Sequence, residues 1–393
     1  MLKVSLPYKQ VDGLAIHFDA YYSSFNLKDD EKVGESGVGG SDTRRLPAVV
    51  FFHGGGLTVG DRESWFPQWM HKRFSALGYL FISADYRLLI PSTGHDILAD
   101  IQDLWTCITH PKLEIDFPPS SESSFIKYQI DRNAIAVAGV SAGGLCAYLC
   151  AMHCIEPRPR AILSLYGMGG DFMTPHYLAP KTKPFFQGRD LLDPLDPNLS
   201  PFVNSSDTPG TFSSLQVTTG SPLSYHPPTH AFPGYPANPR MLLARLFLQL
   251  GTWLDYYLDE HNPSISEALH AILSNTEGSA DELDDGLANK LKSVIPARHL
   301  SLFPQYAESL KDWPPTLLLH GTEDTAVSIN ESRNLLRLLT SARRSVDIDR
   351  LIEVPGVEHS FDLVPDAEEK YGELFDKVVG VIHSAVTQKH RGN

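Results

Sequence analysis

The sequence is poor in cysteine, in basic charge and in long apolar runs, and each shortage closes off a class of protein. Four cysteines in 393 residues cannot build the disulfide framework of a small secreted scaffold. Basic side chains number 33 against 47 acidic ones, for a formal net charge of −14. A surface of that sign repels phosphate backbones and anionic headgroups, so neither nucleic acid nor a membrane surface is an expected partner. It also weighs mildly against a highly anionic substrate. The longest candidate for a membrane span, 240–258, is interrupted by Arg245, Gln249 and Asp255, so no span is expected. The opening MLKVSLPYKQ has no apolar run after a basic start, which predicts no signal peptide and a cytoplasmic protein. Cys146, Cys150 and Cys154 recur every four residues beside His153. No fourth ligand at a familiar spacing completes a zinc site, so these cysteines read as small buried residues. No metal or cofactor is expected, and the oligomeric state is left open.

What the chain does contain is an alternation of buried strands and helices. At 42% hydrophobic and 20% charged, it is long enough for one large core with an appended substructure. Leu14, Ile16, Phe18 and Ala20 alternate with Ala15, His17, Asp19 and Tyr21, a strand with two distinct faces. The charged, glycine-rich stretch 29–42 reads as a surface loop. Short apolar runs at 48–52, 79–83, 134–138 and 161–166 predict strands buried on both faces. Helical patterns lie between them: Phe66, Trp69, Met70, Phe74 and Leu77 closed by Gly78, then 97–108, then 145–154. The order predicts an α/β fold with a mostly parallel sheet covered on both faces.

The rhythm breaks at Asp171. Thirteen of the 29 prolines fall between 171 and 239, followed by helical patterns at 240–258, 265–273 and 281–291. Alternation resumes with a strand at 316–319, a helix at 329–339, a strand at 351–354 and a helix at 367–386. The expected organisation is therefore a core of 1–170 and 313–393, interrupted by a large, mainly helical insertion at 171–312.

Gly139-Val140-Ser141-Ala142-Gly143 fits G-x-S-x-G, a weak signal alone but well placed here. It follows a predicted strand and precedes a predicted helix, where a nucleophile elbow must lie. A serine in a strained tight turn needs neighbours without Cβ atoms. The helix that begins there also points its amino-terminal dipole at developing negative charge. His53-Gly54-Gly55-Gly56 closes the 48–52 strand. Consecutive glycines at that place let backbone N–H groups approach an oxyanion, whereas His53 reads as a residue that holds the loop.

Five segments in order, HGGG at 53–56, DYRL at 85–88, GVSAGG at 139–144, HGTED at 320–324 and GVEHSF at 356–361, resemble the hormone-sensitive-lipase-like (α/β-hydrolase fold-3) esterases of the α/β-hydrolase superfamily. The resemblance implies the α/β-hydrolase fold, with the insertion as a cap, and a serine hydrolase. Its acid falls on Asp324 and its base on His359, with Glu323 as the rival acid. The order serine, acid, histidine is the one this fold uses. Backbone N–H groups of Gly55, Gly56 and Ala142 would hold the oxyanion, with Gly54 shaping the loop. Glu323, Glu358 and Asp362 read as solvated loop charge, and Asp85 with Arg87 as a structural ion pair. Two stretches depart from the family pattern: 171–312 matches no cap of the family, and the amino terminus enters the sheet without first building a helical cap piece.

The expected activity is cleavage of small carboxylic esters with short-to-medium acyl or hydrophobic groups, through an acyl-enzyme. Lactonase, amidase or formamidase, and peptidase activities use the same triad and stay open. A non-catalytic ligand-binding protein on this fold, such as the family's plant hormone receptors, is disfavoured because His359 is present in its motif. The very apolar 240–258 segment is expected to pack on two sides and to line a pocket, with Trp65 and Phe66 as a further wall.

Overall fold

A computed structural model describes residues 2–23, 43–117, 127–203, 212, 215–275, 285–308, 310–342 and 349–388. The glycine-rich stretch 29–42 lies outside the described residues, as does the start of the helix expected at 281–291. In chain order the core elements are β1 (Leu2–Val11), β2 (Leu14–Tyr22), β3 (Thr43–Phe52), α1 (Gln68–Ala76), β4 (Leu80–Ala84) and α2 (Gly94–Ile108). The short β5 (Ile115–Asp116), then β6 (Lys127–Val140), α3 (Ala142–His153) and β7 (Ala161–Leu165) follow. After β7 come α4 (Pro175–Leu178), α5 (Arg240–Leu250), α6 (Trp253–Leu258), α7 (Ile265–Ser274) and α8 (Asp285–Val294). The chain ends with β8 (Thr316–Gly321), α9 (Ile329–Ala342), β9 (Arg350–Val354) and α10 (Ala367–Thr387).

One sheet runs in the order β1-β2-β4-β3-β6-β7-β8-β9, with β5 beside β6. From β4 to β9 the neighbours are parallel, while β1 and β2 form an antiparallel edge. The uniform apolar runs have a direct cause: successive side chains enter two different core layers. Ala48, Val50 and Phe52 join Ile82 and Val137 on one face. Val49 and Phe51 join Phe81, Ala136 and Ala138 on the other. One layer is covered by α1 and α10, through Trp69, Phe74, Phe375 and Val378. The other holds α2 and α3, where Cys146, Cys150 and Cys154 are buried as small packing residues.

β7 and β8 pair directly, Ile162 opposite Thr316 and Leu165 opposite Leu319, so everything between them is inserted at one point of the sheet. Leu243, Leu246, Phe247 and Trp253 of that insertion belong to the same hydrophobic cluster as α2 and α3. The expected 240–258 helix is two helices with a turn at Gly251 and Thr252; glycine is a poor helix-interior residue. The proline-rich part has only the one-turn α4 and a short 3₁₀ turn among its described residues, because proline supplies no N–H and fixes φ. Among the described residues no helix is long and apolar enough to cross a membrane, and no cluster of three His, Cys, Asp or Glu could hold a metal ion.

Candidate active site

Ser141 stands at the tip of the turn between β6 and α3, with φ 52° and ψ −122°. A β-carbon-bearing residue is strained there, and the surroundings hold it. Ser141 N donates to Leu165 O at 3.0 Å and Met168 N donates to Ser141 O at 3.0 Å. A β-carbon on Gly143 would lie 2.1 Å from Phe52 O, so only glycine lets α3 press against the end of β3. Ala142 is the first residue of α3, and its N–H has no preceding turn to receive it.

The HGGG loop leaves β3 beside this turn. A β-carbon on Gly54 would sit 3.2 Å from Ser141 Cβ, and one on Gly56 would sit 2.2 Å from Ala244 Cβ of α5. The loop is thus clasped between the serine turn and the insertion. His53 is buried, stacks on Tyr86 at 4.4 Å, and has its Nδ1 2.8 Å from Gly54 O. Burial pushes its pKa down to about 4, against the smaller pull of the Gly54 carbonyl.

Asp324 and His359 follow β8 and β9. His359 Nδ1 lies 2.7 Å from Asp324 Oδ2, and Asp324 Oδ1 accepts from Ala326 N and Val327 N, each at 2.9 Å. His320 Nε2 approaches the same Oδ2 at 3.2 Å. Burial alone would raise the Asp324 pKa. The hydrogen bonds from His320 and His359 outweigh it and hold the carboxyl well below the ordinary range. Glu323 is exposed. Ser141 and His359 line one cavity but make no hydrogen bond to each other among the described residues. Such bonds are commonly long in unliganded sites.

Three sequence-based expectations need correction here. Asp362 is not solvated: it is buried, accepting from Trp69 Nε1 at 2.9 Å and from Tyr166 OH at 2.6 Å. Burial raises its pKa against those two bonds. The Tyr166 ring meets His359 edge-on at 4.5 Å, so Asp362 steadies the histidine through Tyr166. Glu358 is likewise engaged, with Thr325 N and Oγ1 and with His359 N. Asp85 and Arg87 do not pair with each other. Asp85 takes the backbone N–H and guanidinium of Arg62, while Arg87 binds Asp96 and Asp100. The chain leaves regular strand geometry at Ala84, so the two side chains diverge.

The cavity has a volume of about 880 Å³. Its floor is Gly54, Gly55, Gly56, Ser141 and His359, and its roof includes Met241, Ala244, Arg245, Leu248 and Trp253 from α5 and α6. Tyr225, Phe232 and Tyr235 are part of its wall and remain largely exposed, forming a rim. Trp65 lines the cavity, but Phe66 does not. The positive φ of Trp65 turns the next side chain away, into a cluster with Tyr21 and Phe81 at ring distances of 5.1 and 5.4 Å. Tyr166 and Arg245 line the cavity and His320 contacts Asp324; pattern alone pointed to none of the three. His320 was visible only as the first letter of HGTED.

Comparison with known proteins agrees with this fold. A family model described as alpha/beta hydrolase fold matches residues 49–229. An α/β-hydrolase superfamily protein of Enterococcus faecalis superposes with a TM-score of 0.54 at 14% identity, covering 98% of this chain and 99% of that one. These likenesses show that the chain has the α/β-hydrolase fold. A probable carboxylesterase, M8, of Phoma sp. is 34% identical over 128 residues, 32% of this chain and 38% of that protein. A non-reducing polyketide synthase of Emericella nidulans is 24% identical over 392 residues, 98% of this chain but 14% of that protein. The matches therefore span well under two thirds of these curated relatives.

Proposed function

We infer that the protein is a carboxylesterase-type serine hydrolase, with Ser141 as nucleophile, His359 as base and Asp324 as the group that orients the base. The observation that carries this reading is the 2.7 Å Asp324–His359 hydrogen bond on the wall of the cavity that also holds the strained Ser141 turn. The likeness to a probable carboxylesterase over part of the chain supports the same bond class. With Nδ1–H given to Asp324, the Nε2 of His359 is the free base that takes the Ser141 proton as the hydroxyl attacks the ester carbonyl. Backbone N–H groups of Gly55, Gly56 and Ala142 stabilise the oxyanion. His359 then protonates the leaving alcohol, and water deacylates the enzyme with His359 again as base. None of these steps calls for a metal or cofactor. Residues 171–312 act as the cap that excludes water and shapes the pocket for short-to-medium acyl groups.

The test is Ser141→Ala. Turnover of p-nitrophenyl butyrate should fall by about five to six orders of magnitude with folding intact. A fluorophosphonate should label the wild type at Ser141. Labelling at a different serine, or full activity in the variant, removes the basis for the reading.

A further inference from the structure

The cavity roof carries a charge that makes no ion pair with a carboxylate among the described residues. Met241, Ala244, Arg245 and Leu248 follow the spacing i, i+3, i+4, i+7 on α5, and all four line the cavity. Arg245 sits in the middle of that face, 6% exposed, with its Nε enclosed and without an acceptor. Other arginines show what partnering looks like in this molecule. Arg62 grips Asp19 and Asp85, Arg87 grips Asp96 and Asp100, and Arg240 donates to the carbonyls of Thr58, Leu89 and Ile90. Burial lowers the Arg245 pKa from the ordinary arginine value, against a side-chain hydrogen bond with Tyr235 and the charge of Asp190, while Arg189 adds repulsion. A second buried donor lines the same cavity: the indole Nε1–H of Trp253 also has no acceptor. A buried guanidinium N–H and a buried indole N–H without acceptors are unfavourable, so the two in one roof, beside a cation with no carboxylate partner among the described residues, point to an acceptor that arrives with the ligand.

We propose that Arg245 and Trp253 form a carboxylate subsite, so that the preferred ester carries a second, ionised carboxyl group on its acyl or its alcohol arm. This rests on the ester-hydrolase reading above and names its substrate class. The placement fits. α5 touches the oxyanion loop at Ala244, one residue from Arg245, and neighbouring Cα atoms are about 3.8 Å apart. Ser141 and Arg245 line the same cavity, and the planar fork of a guanidinium matches a carboxylate. A neutral apolar arm would cover the cation without replacing its hydration. The net charge of −14 opposes an anion at long range, but screening confines that repulsion to about 8 Å at physiological salt. At contact the guanidinium decides, because it has no carboxylate partner among the described residues.

Two pairs of substrates differing only in carboxylate against primary amide test this. The acyl-arm pair is p-nitrophenyl hydrogen adipate and its terminal amide. The alcohol-arm pair is 4-carboxyphenyl butyrate and 4-carbamoylphenyl butyrate. In one pair kcat/KM should favour the carboxylate by about 10- to 100-fold, mainly through KM. Arg245→Met should bring that ratio to one or below, and Arg245→Lys should leave it intermediate. Trp253→Phe should lower it a few-fold. Adipate binding to Ser141→Ala, read by calorimetry, reports the subsite without turnover and should vanish in Ser141→Ala/Arg245→Met. A wild-type ratio near one in both pairs, or a ratio unchanged by Arg245→Met, overturns the proposal. Intact amide-ester hydrolysis with that result would leave the esterase reading standing. Arg245-dependent adipate binding without any ester turnover would instead sink the esterase reading alone.

Discussion

On the strand-end side of the cavity, Asp324, Asp362, Asp85 and Arg87 all have hydrogen-bonded partners within the chain, whereas on the insertion side Arg245 Nε and Trp253 Nε1 have none. The first side is a set of loops at the ends of parallel strands, and these four charged groups are held by partners within the chain. The second is a pair of helices laid over those loops by apolar contact, with few polar ties. Arg240 reaches the backbone carbonyls of Thr58, Leu89 and Ile90, whereas the two hydrogen bonds of Gln249 go to Leu192 within the insertion itself, at 2.7 and 2.8 Å. Chemistry that must be repeated to a fraction of an ångström sits where the sheet fixes the backbone. The proposed recognition, which needs shape and one or two directed donors, falls on the insertion.

The largest effect that would break this contrast lies on the sheet side. Asp324→Asn should reduce kcat by roughly 10⁴-fold by favouring the wrong histidine tautomer, whereas the exposed Glu323 should tolerate Gln with little change. Steady-state kinetics on both variants decide it, and the reverse pattern would place the acid at Glu323.

Next comes the seam between the two sides. Gly56→Ala puts a methyl against Ala244 and should lower kcat by about 10²-fold or more by displacing an oxyanion donor. Ala244→Gly alone should cost about 1 kcal/mol of stability as a helix-interior glycine. Combined with Gly56→Ala, it should recover part of the lost turnover. Strict additivity of the two losses in a double-mutant cycle would mean that loop and roof do not touch in solution.

A smaller effect concerns the roof as a shaped wall. Across uncharged p-nitrophenyl esters, kcat/KM should rise from acetate to about butyrate or hexanoate and then fall, each methylene contributing up to ~0.8 kcal/mol until the space is filled. Rates flat across the series, or highest for emulsified long-chain triglycerides, would show that the roof encloses no pocket.

The smallest effect tests the core layer on the far side of the sheet. His71 is buried among Tyr21, Phe66 and Phe81, and burial lowers its pKa to about 4. Above 6.5 it is neutral folded or unfolded. Between 6.5 and 4 only the unfolded chain takes the proton, so stability falls with pH by up to about 1.4 kcal/mol per unit. Asp324 works in a separate window. Its depressed pKa contributes stability above the ordinary carboxylate range, and that stability is lost as pH falls below about 4. Denaturant titrations from pH 7 to pH 4.5 should show a shallower slope for His71→Leu than for the wild type. An identical slope would mean that His71 is protonated in the folded state.

Much of the sheet was legible because its cause is local. A strand such as 48–52 that is buried on both faces admits only apolar side chains, so the run announces itself. The G-x-S-x-G turn was legible because a strained serine beside a close helix–strand contact excludes any β-carbon at Gly143. Other features could not be read. Asp362 looks like any loop carboxylate until Trp69, far away in sequence, is seen to donate to it. Asp85 and Arg87 are neighbours in the chain but partners of Arg62 and Asp100 in space. Arg245 registered only as an interruption of an apolar helix, and Phe66 as the twin of Trp65, because neither burial nor side-chain direction is a property of a dipeptide.

By itself, then, the sequence determined the alternating α/β frame, the serine turn and the residue types available for an acid and a base. These follow from sterics and hydrophobic periodicity within a few residues of chain. Only the tertiary structure decided which charges are paired, which helices roof the cavity and where a guanidinium N–H is left without an acceptor. Those depend on contacts between residues up to hundreds of positions apart, and on burial, which turns an ordinary charge into one that must find a partner.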